Sequence, residues 1–285
     1  MLTAKELEEK VKYLRSVKGD LKGALKLLEG ELLQHDENEK APILYALGIL
    51  YSDVGDYMRS KSNLRKAVLL AEKYNDIFIR SNALRRLGYV IWISEKNDTK
   101  ALDFAEEALN IVRKYKGNKY REVEASSYAL IGNVNFDLGR YDQAGKVYKK
   151  GLIVTRRIGY IERESTILGD LGNLFLRQKQ YSKALTYLEQ AKAIAEKKYR
   201  HELPAALLRI GYVYFDRDNK DRNINVAKKY FNNCLKVSLK DGWKKDEAEA
   251  YLALSKVEVE LGNGNKAVLL KSKADRIFAK LHRGN

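Results

Sequence analysis

The sequence has little cysteine and little proline, and each scarcity excludes a class of protein. A single cysteine, Cys234, in 285 residues excludes a disulfide-stapled fold and a cysteine-rich metal site. Two prolines in a chain that is 45% hydrophobic favour a folded, mainly helical protein over a disordered one. No apolar run is long enough to span a bilayer, and the first ten residues lack the apolar core of a signal peptide. We therefore expect a soluble, cytoplasmic protein.

Groupings of catalytic or metal-ligating residues are also missing. The three histidines, His35, His201 and His282, have no second histidine or cysteine at ligand spacing. No glycine-rich loop of the phosphate-binding kind occurs. Residues 216–225 are rich in Asp and Asn but lack the closing glutamate and the glycine of a calcium loop. The sequence therefore predicts a protein that is not an enzyme and holds no cofactor or metal.

What the sequence does have is an internal repeat. Leu47-Gly48 is followed seven residues later by Gly55-Asp56-Tyr57. Related pairs recur as Leu87-Gly88, Ile131-Gly132, Leu171-Gly172, Ile210-Gly211 and the degenerate Leu254-Ser255. The second residues of these pairs are separated by 40, 44, 40, 39 and 44 residues. Self-similarity at such a period indicates a stack of one repeated supersecondary unit.

Small residues recur at two further places in each repeat. With the glycine of each pair taken as position 8, position 20 holds Ala24, Ser60, Ala101, Ala144, Ala184, Ala227 or Ala267, with short insertions before Ala101 and Ala227. Position 27 holds Ala67, Ala108, Gly151, Ala191, Cys234 or Ala274. Such positions predict two antiparallel helices, A and B, that approach closely, with Gly-x-Tyr as the turn between them. Cys234 is therefore expected to be a buried, small hydrophobic side chain rather than a nucleophile.

These positions resemble the tetratricopeptide repeat, which is small at positions 8, 20 and 27 and aliphatic at position 7. Aromatic residues near positions 11 and 24 add to the resemblance: Tyr51, Phe175, Tyr214, Tyr148 and Phe231. The repeat departs from the commonest version because the proline that usually ends helix B is missing and the period exceeds about 34 residues. In both respects the repeat resembles the extended repeats of kinesin light chain, Pins-type polarity adaptors and bacterial peptide-sensing regulators.

The resemblance implies an all-α fold, a right-handed α-solenoid of about seven helical hairpins. We expect a single solenoid over residues 1–285, with a divergent N-terminal hairpin or cap at 1–38 and five central repeats at 39–243. A C-terminal repeat or cap at 244–282 and a short tail at 283–285 complete it.

In such a superhelix the A helices line a concave groove, and positions 2, 5, 9, 12 and 13 face it. The candidate groove residues are Tyr45, Asn82, Arg85, Tyr89, Trp92, Asn133, Phe136, Asn173, Arg177, Tyr212 and Phe215. Asn133 and Asn173 share position 9, where an amide can pair with both the C=O and the N–H of an extended peptide. The resembled families use a ladder of groove asparagines in this way.

The other candidates suit side-chain recognition. Exposed aromatic rings would anchor partner side chains, and Arg85 or Arg177 would hold an acidic group. Packing between neighbouring A helices is the alternative explanation for the aromatic residues, and a solvated polar position is the alternative for the asparagines.

The chain is strongly basic, with 54 Lys and Arg against 38 acidic residues, a net charge of +16. Position 33, near the end of helix B, is Lys73, Lys114, Arg157, Lys197, Lys240 or Lys280. A cation there interacts favourably with the helix dipole and stabilises the helix by about 0.3–1 kcal/mol. The alternative is a basic edge that binds nucleic acid or another polyanion.

The sequence therefore predicts a non-catalytic adaptor that binds an extended peptide or flexible protein segment, with no membrane partner. Nucleic-acid or polyanion binding, and a purely structural or self-assembling role, are the alternatives. The sequence leaves the partner's identity and the oligomeric state open.

Overall fold

A computed structural model describes residues 20–283 together with Glu6, residues 9–11, Tyr13 and Leu14. Within them lie thirteen α-helices and no strand: α1 (Leu21–Gln34), α2 (Lys40–Asp53), α3 (Tyr57–Lys73), α4 (Ile77–Glu95), α5 (Asp98–Val112), α6 (Asn118–Asp137), α7 (Tyr141–Ile158), α8 (Ile161–Arg177), α9 (Tyr181–Lys197), α10 (Leu203–Phe215), α11 (Ile224–Asp241), α12 (Lys244–Glu260) and α13 (Gly264–Arg283). Short 3-10 turns, Glu37–Glu39 and Arg200–Glu202, precede α2 and α10.

The expected N-terminal cap and tail fall partly outside these residues. Of the hairpin expected at 1–38, α1 is described, whereas most of the preceding segment lies outside the described residues. The same holds for residues 284 and 285 of the expected tail, and the side chains are described as far as Leu281.

The chain divides into two compact units, Met1–Arg140 and Tyr141–Asn285. In the first unit α2 pairs with α3 and α4 with α5, and α6 packs against α4 and α5. In the second unit the pairs are α8 with α9, α10 with α11 and α12 with α13, and α10 also contacts α8 and α12. Each unit is thus an all-α stack of helical hairpins. A single continuous solenoid over the whole chain stays a prediction.

Glycine at position 8 marks the point where the A and B helices of a hairpin touch. A Cβ added to Gly48 of α2 would lie 2.6 Å from Leu64 Cγ of α3, and one on Gly88 of α4 would lie 2.9 Å from the Ala101 carbonyl of α5. Gly172 against Leu188 and Gly211 against Phe231 are still closer. Real Cβ atoms do not approach other atoms so closely, so only glycine fits there. The predicted reason for the Leu-Gly repeat is confirmed.

Two of the small residues at this crossing are serines, and each makes a hydrogen bond across it. Ser60, at position 20, donates its hydroxyl to the Gly48 carbonyl at 2.6 Å. Ser255, at position 8 of the last repeat, donates to the Ala267 carbonyl at 2.7 Å. The pair Leu254-Ser255 is therefore a functional equivalent of Leu-Gly, because a buried hydroxyl is tolerated once it is hydrogen-bonded.

The tight turns between A and B helices adopt a left-handed conformation. Gly55 and Gly139 have φ of +83° and +72°, as the Gly-x-Tyr motif predicts. Lys179 occupies the equivalent place before α9 with a φ of +57°, without the freedom of glycine. The tyrosines of the motif become the first residues of the B helices, as Tyr57 does in α3.

We predict that Gly48→Ala destabilises the protein by about 1–3 kcal/mol, because the added Cβ overlaps Leu64 at the helix crossing. Gly30→Ala is the matched control, because Gly30 is also inside a helix but has no atom within 4 Å of an added Cβ. That substitution should stabilise the protein by about 0.5–1 kcal/mol through helix propensity alone. Urea unfolding of both variants measures the difference, and equal effects would contradict the close-approach explanation.

Candidate functional site

In the first unit, the candidate residues of α2 and α4 lie partly inside the helix packing. Tyr45 and Tyr89 are half-buried and pack against the apolar core shared by α2, α3 and α4. Tyr89 also meets Trp92 edge-on, with ring centroids 6.0 Å apart. Asn82 is only 8% exposed, and its amide donates to the Phe78 carbonyl of its own helix at 3.1 Å. Trp92 is therefore more open to a partner than Asn82 is.

An ion pair links successive A helices of the first unit. Arg86 of α4 donates through Nη2 to Asp53 Oδ1 of α2 at 3.2 Å, and its guanidinium lies 4.9 Å from the centroid of Tyr89. Its half-buried neighbour Arg85 was selected from the sequence, whereas Arg86 was not. Arg86 occupies position 6, which lies outside the set of positions expected to face a groove.

The third A helix of this unit, α6, carries Asn133 and Phe136. Both side chains are half-buried. Because residues three apart lie on the same side of a helix, the amide and the ring are neighbours on one face of α6.

In the second unit, polar residues form a stripe along one side of α8. We call Thr166, Asp170, Asn173 and Arg177 the α8 stripe; their spacing of four, three and four residues places them on one helix face. Arg177 is exposed at the helix end, and the other three are half-buried. Asn173 and Arg177 were selected from the sequence, whereas Asp170 was missed although its spacing from Asn173 was visible.

The candidate aromatic residues of α10, Tyr212 and Phe215, contribute to packing in the second unit. Their rings lie 5.1 Å and 6.3 Å from the buried Phe231 ring of α11. Each also lies near a cation, with Lys256 Nζ 5.2 Å from the Tyr212 centroid and the Arg222 guanidinium 5.9 Å from that of Phe215. Burial raises the pKa of Tyr212. Inter-helix packing, the alternative for these aromatic rings, thus accounts for one side of each, and both rings remain partly exposed.

Asp170 lies in a mixed cluster of charges. Its Oδ1 is 3.6 Å from Nη2 of Arg209 on α10, and its Oδ2 is buried without a hydrogen-bond partner among the described residues. Burial, together with the charge of Glu202, raises the pKa of Asp170 to about 6, against the lowering effect of Arg209 and Arg163. Desolvation therefore outweighs the two nearby cations.

The described residues contain no group of three or more His, Cys, Asp and Glu side chains able to hold a metal ion. Cys234 is fully buried, as predicted for position 27, and burial raises the pKa of its thiol to about 12. The thiol is therefore protonated at neutral pH and poorly nucleophilic.

Basic residues at position 33 lie in the last turn of several B helices. Lys73 pairs with Glu37, with Nζ and Oε2 2.7 Å apart, while Arg157, Lys197 and Lys240 are exposed. Their place at helix ends fits complementation of the helix dipole. No helix in the described part of the chain is both long and apolar enough to cross a bilayer.

Stacked hairpins with small residues at every crossing define an α-helical repeat protein. Two family models described as tetratricopeptide repeat match this chain, one at residues 41–74 and one at residues 123–197. These residues therefore match tetratricopeptide repeats, and the resemblance drawn from the sequence is confirmed.

Individual proteins resemble this chain at low sequence identity. Tetratricopeptide repeat protein 29 of Trypanosoma brucei brucei is 24% identical over 200 residues, which are 66% of this chain and 41% of that protein. The chain thus spans about two fifths of that relative. The crystal structure of apo RapI matches with a TM-score of 0.73 and 17% identity, covering 97% of this chain and 98% of RapI. A Rap protein complexed with competence and sporulation factor matches with a TM-score of 0.74 and 17% identity, covering 97% and 75%.

We predict that Asp170→Asn removes a pH-dependent loss of stability. Because the pKa of Asp170 is raised from 3.8 to about 6, the wild-type carboxyl favours the folded state fully below pH 4. That contribution, on the order of 1–3 kcal/mol, is lost as the pH rises through 6. The variant should therefore gain stability relative to wild type between pH 4 and pH 7.5, measured by urea unfolding. Asp103→Asn, at an exposed site on α5, is the control and should show no such gain.

Proposed function

We propose that the protein is a non-catalytic adaptor that holds an extended peptide, or a flexible segment of a partner protein, against its A helices. The α8 stripe is the observation that carries this proposal. Along one helix face it places a hydroxyl, which already donates to the Glu162 carbonyl, together with a carboxylate, an amide and a guanidinium. The contacting helix α10 carries the partly exposed rings of Tyr212 and Phe215. A helix face of this kind offers hydrogen bonds and apolar contact together, as peptide recognition requires.

The dimensions of the stripe suit an extended chain. Side chains three or four residues apart on a helix lie about 5–6 Å apart. Main-chain groups on one side of an extended segment repeat every two residues, about 6–7 Å. Successive side chains of the stripe can therefore reach successive main-chain groups. In this arrangement Asn173 donates to a carbonyl and accepts from an N–H, and Arg177 holds an acidic side chain.

The first unit offers a second set of such groups. Asn133 on α6 supplies the same amide chemistry as Asn173, with Phe136 one turn away. On α4, Trp92 offers a ring and Arg85 a cation. Asn82 is the weakest candidate, because its amide already donates within its own helix.

The structural comparisons support a binding role in a limited way. One Rap protein of the same fold is solved in complex with competence and sporulation factor, so this fold can hold a partner. At 17% identity the likeness concerns the fold. The ligand proposed here is therefore argued from the residues of this chain.

We predict that Asn133→Ala and Asn173→Ala together weaken peptide binding at least tenfold. Peptides are first selected against the wild-type protein from a randomised ten-residue phage-displayed library, and affinities are then measured by isothermal titration calorimetry. Loss of two buried, charge-free amide contacts of about 1 kcal/mol each gives the expected size.

The control for that experiment is Asn63→Ala on the B helix α3, where the amide donates only to the Arg59 carbonyl of its own helix. It should leave affinity unchanged, and all variants should keep the wild-type melting temperature within about 2 °C. Affinity that is unaffected by the paired substitution, or lowered equally by the control, contradicts the proposal.

The alternative function, polyanion binding, predicts a different result for the same protein. A net charge of +16 predicts some binding of heparin or single-stranded DNA at low salt. If that binding is tight, falls steeply with salt and is lost in a variant with Lys197 and Lys240 changed to Gln, the basic edge is the functional surface.

A further inference from the structure

The Asp170–Arg209 pair is an incomplete ion pair on the A-helix face of the second unit. The Asp170 and Arg209 side chains are 14% and 30% exposed, and Oδ2 of Asp170 is itself buried. The separation of 3.6 Å between Oδ1 and Nη2 is longer than a good hydrogen bond, and Oδ2 has no partner among the described residues.

Another pair of the same residue types, in the first unit, completes its hydrogen bond. Asp53 and Arg86 also join successive A helices, and Arg86, like Arg209, sits at position 6. There the guanidinium donates to the carboxylate at 3.2 Å. The two carboxylates differ in place, because Asp53 is at position 13 and Asp170 at position 6, and the pair in the second unit leaves the hydrogen bond open.

Gly169 determines where the Arg209 guanidinium lies. A Cβ on Gly169 would be 2.6 Å from Nη1 of Arg209, so the guanidinium occupies the space that any other residue would fill. The absent side chain leaves room for the end of Arg209 against α8, near Asp170. This places one acceptor and one donor next to each other, one helical turn from Asn173.

The charges around the pair are already balanced. Burial and Glu202 oppose the ionised form of Asp170, and Arg209 and Arg163 favour it. Two acidic and two basic side chains therefore meet here. An added cation or anion would upset that balance, whereas a neutral group with one donor and one acceptor would not.

We propose that Asp170 and Arg209 bind one amide group of the partner segment, Asp170 accepting its N–H and Arg209 donating to its C=O. The inference rests on the proposed peptide-binding function. It specifies the chemical group of the peptide, an amide, that the second unit binds. The amide belongs either to the main chain or to an Asn or Gln side chain. Asn173, one turn along α8, reads a second amide in the same way.

The test uses the peptide selected from the library and double-mutant cycles. The peptide is resynthesised with the backbone N-methylated at each position in turn, which removes one N–H donor at a time. A second series changes each Asn or Gln to Ala. Affinities are measured for the wild-type protein and for Asp170→Ala. We expect one of these peptide changes to lower the affinity for the wild-type protein at least tenfold and the affinity for Asp170→Ala less than threefold. The series in which that coupling occurs identifies the main chain or a side chain as the source.

Gly169→Ala tests the placement of the guanidinium without changing a polar group. The added methyl meets Arg209 Nη1, so the guanidinium must shift and this variant should bind the peptide more weakly than the wild-type protein does. Asp170→Ala and Gly169→Ala should both keep cooperative thermal unfolding. If Gly169→Ala binds the peptide like wild type, the assigned role of Arg209 is wrong.

The pH dependence provides a readout that a purely structural role would not give. Only the ionised carboxylate accepts the N–H strongly, and the pKa of Asp170 is raised to about 6 by burial, so wild-type affinity should fall as the pH drops below 6. Glu202, Arg209 and Arg163 face the same carboxyl and remain in the Asp170→Ala variant. That variant should show no comparable fall.

Other results overturn the inference in recognisable ways. Coupling of Asp170 to a Lys, an Arg or the peptide amino terminus means that the site takes a cation. Coupling of Arg209 to an acidic side chain or the carboxyl terminus means that it takes an anion. If the Asn133 and Asn173 variant loses binding but Asp170→Ala does not, this inference fails while the proposed function stands. If the library yields no binder, both fail.

Discussion

The close approach of the A and B helices at position 8 is the constraint on which each unit depends. At Gly48 and Gly88 an added Cβ would lie within 2.6–2.9 Å of atoms on the facing helix. Where glycine is replaced, as at Ser255, or faces serine, as at Ser60, a hydroxyl bonds to the opposing backbone carbonyl. The apolar stripe of each A helix therefore packs against the B helix of the same hairpin and against the next hairpin.

Because the apolar stripe takes up this packing, another face of each A helix can carry polar side chains. On α8 that face carries Thr166, Asp170, Asn173 and Arg177, which a packed core would exclude at considerable cost. The same face is less open on α4, where Asn82 is buried and Tyr89 packs on the core. The two units therefore share one architecture but differ in how much of the A-helix face remains available.

Ion pairs between successive A helices follow the same logic with different outcomes. Asp53 and Arg86 complete a hydrogen bond, whereas Asp170 and Arg209 stop at 3.6 Å. The two carboxylates stand at different places in the repeat, Asp53 at position 13 and Asp170 at position 6. Burial and Glu202 raise the pKa of Asp170, and the missing side chain of Gly169 leaves room for the Arg209 guanidinium. The proposed amide contact uses this unfinished pair.

The sequence by itself determined the helical hairpins, the glycine contacts, the buried Cys234 and the family resemblance. These depend on a repeat period and on small residues whose meaning is local, so each copy reinforces the others. It also indicated Asn173 and Arg177 as polar residues of an A-helix face. The tertiary structure alone decided that Asn82 is buried and that Tyr212 and Phe215 rest on Phe231. It alone brought Arg209 and Glu202 to Asp170, because the environment of a carboxyl is set by residues more than thirty positions away in the chain.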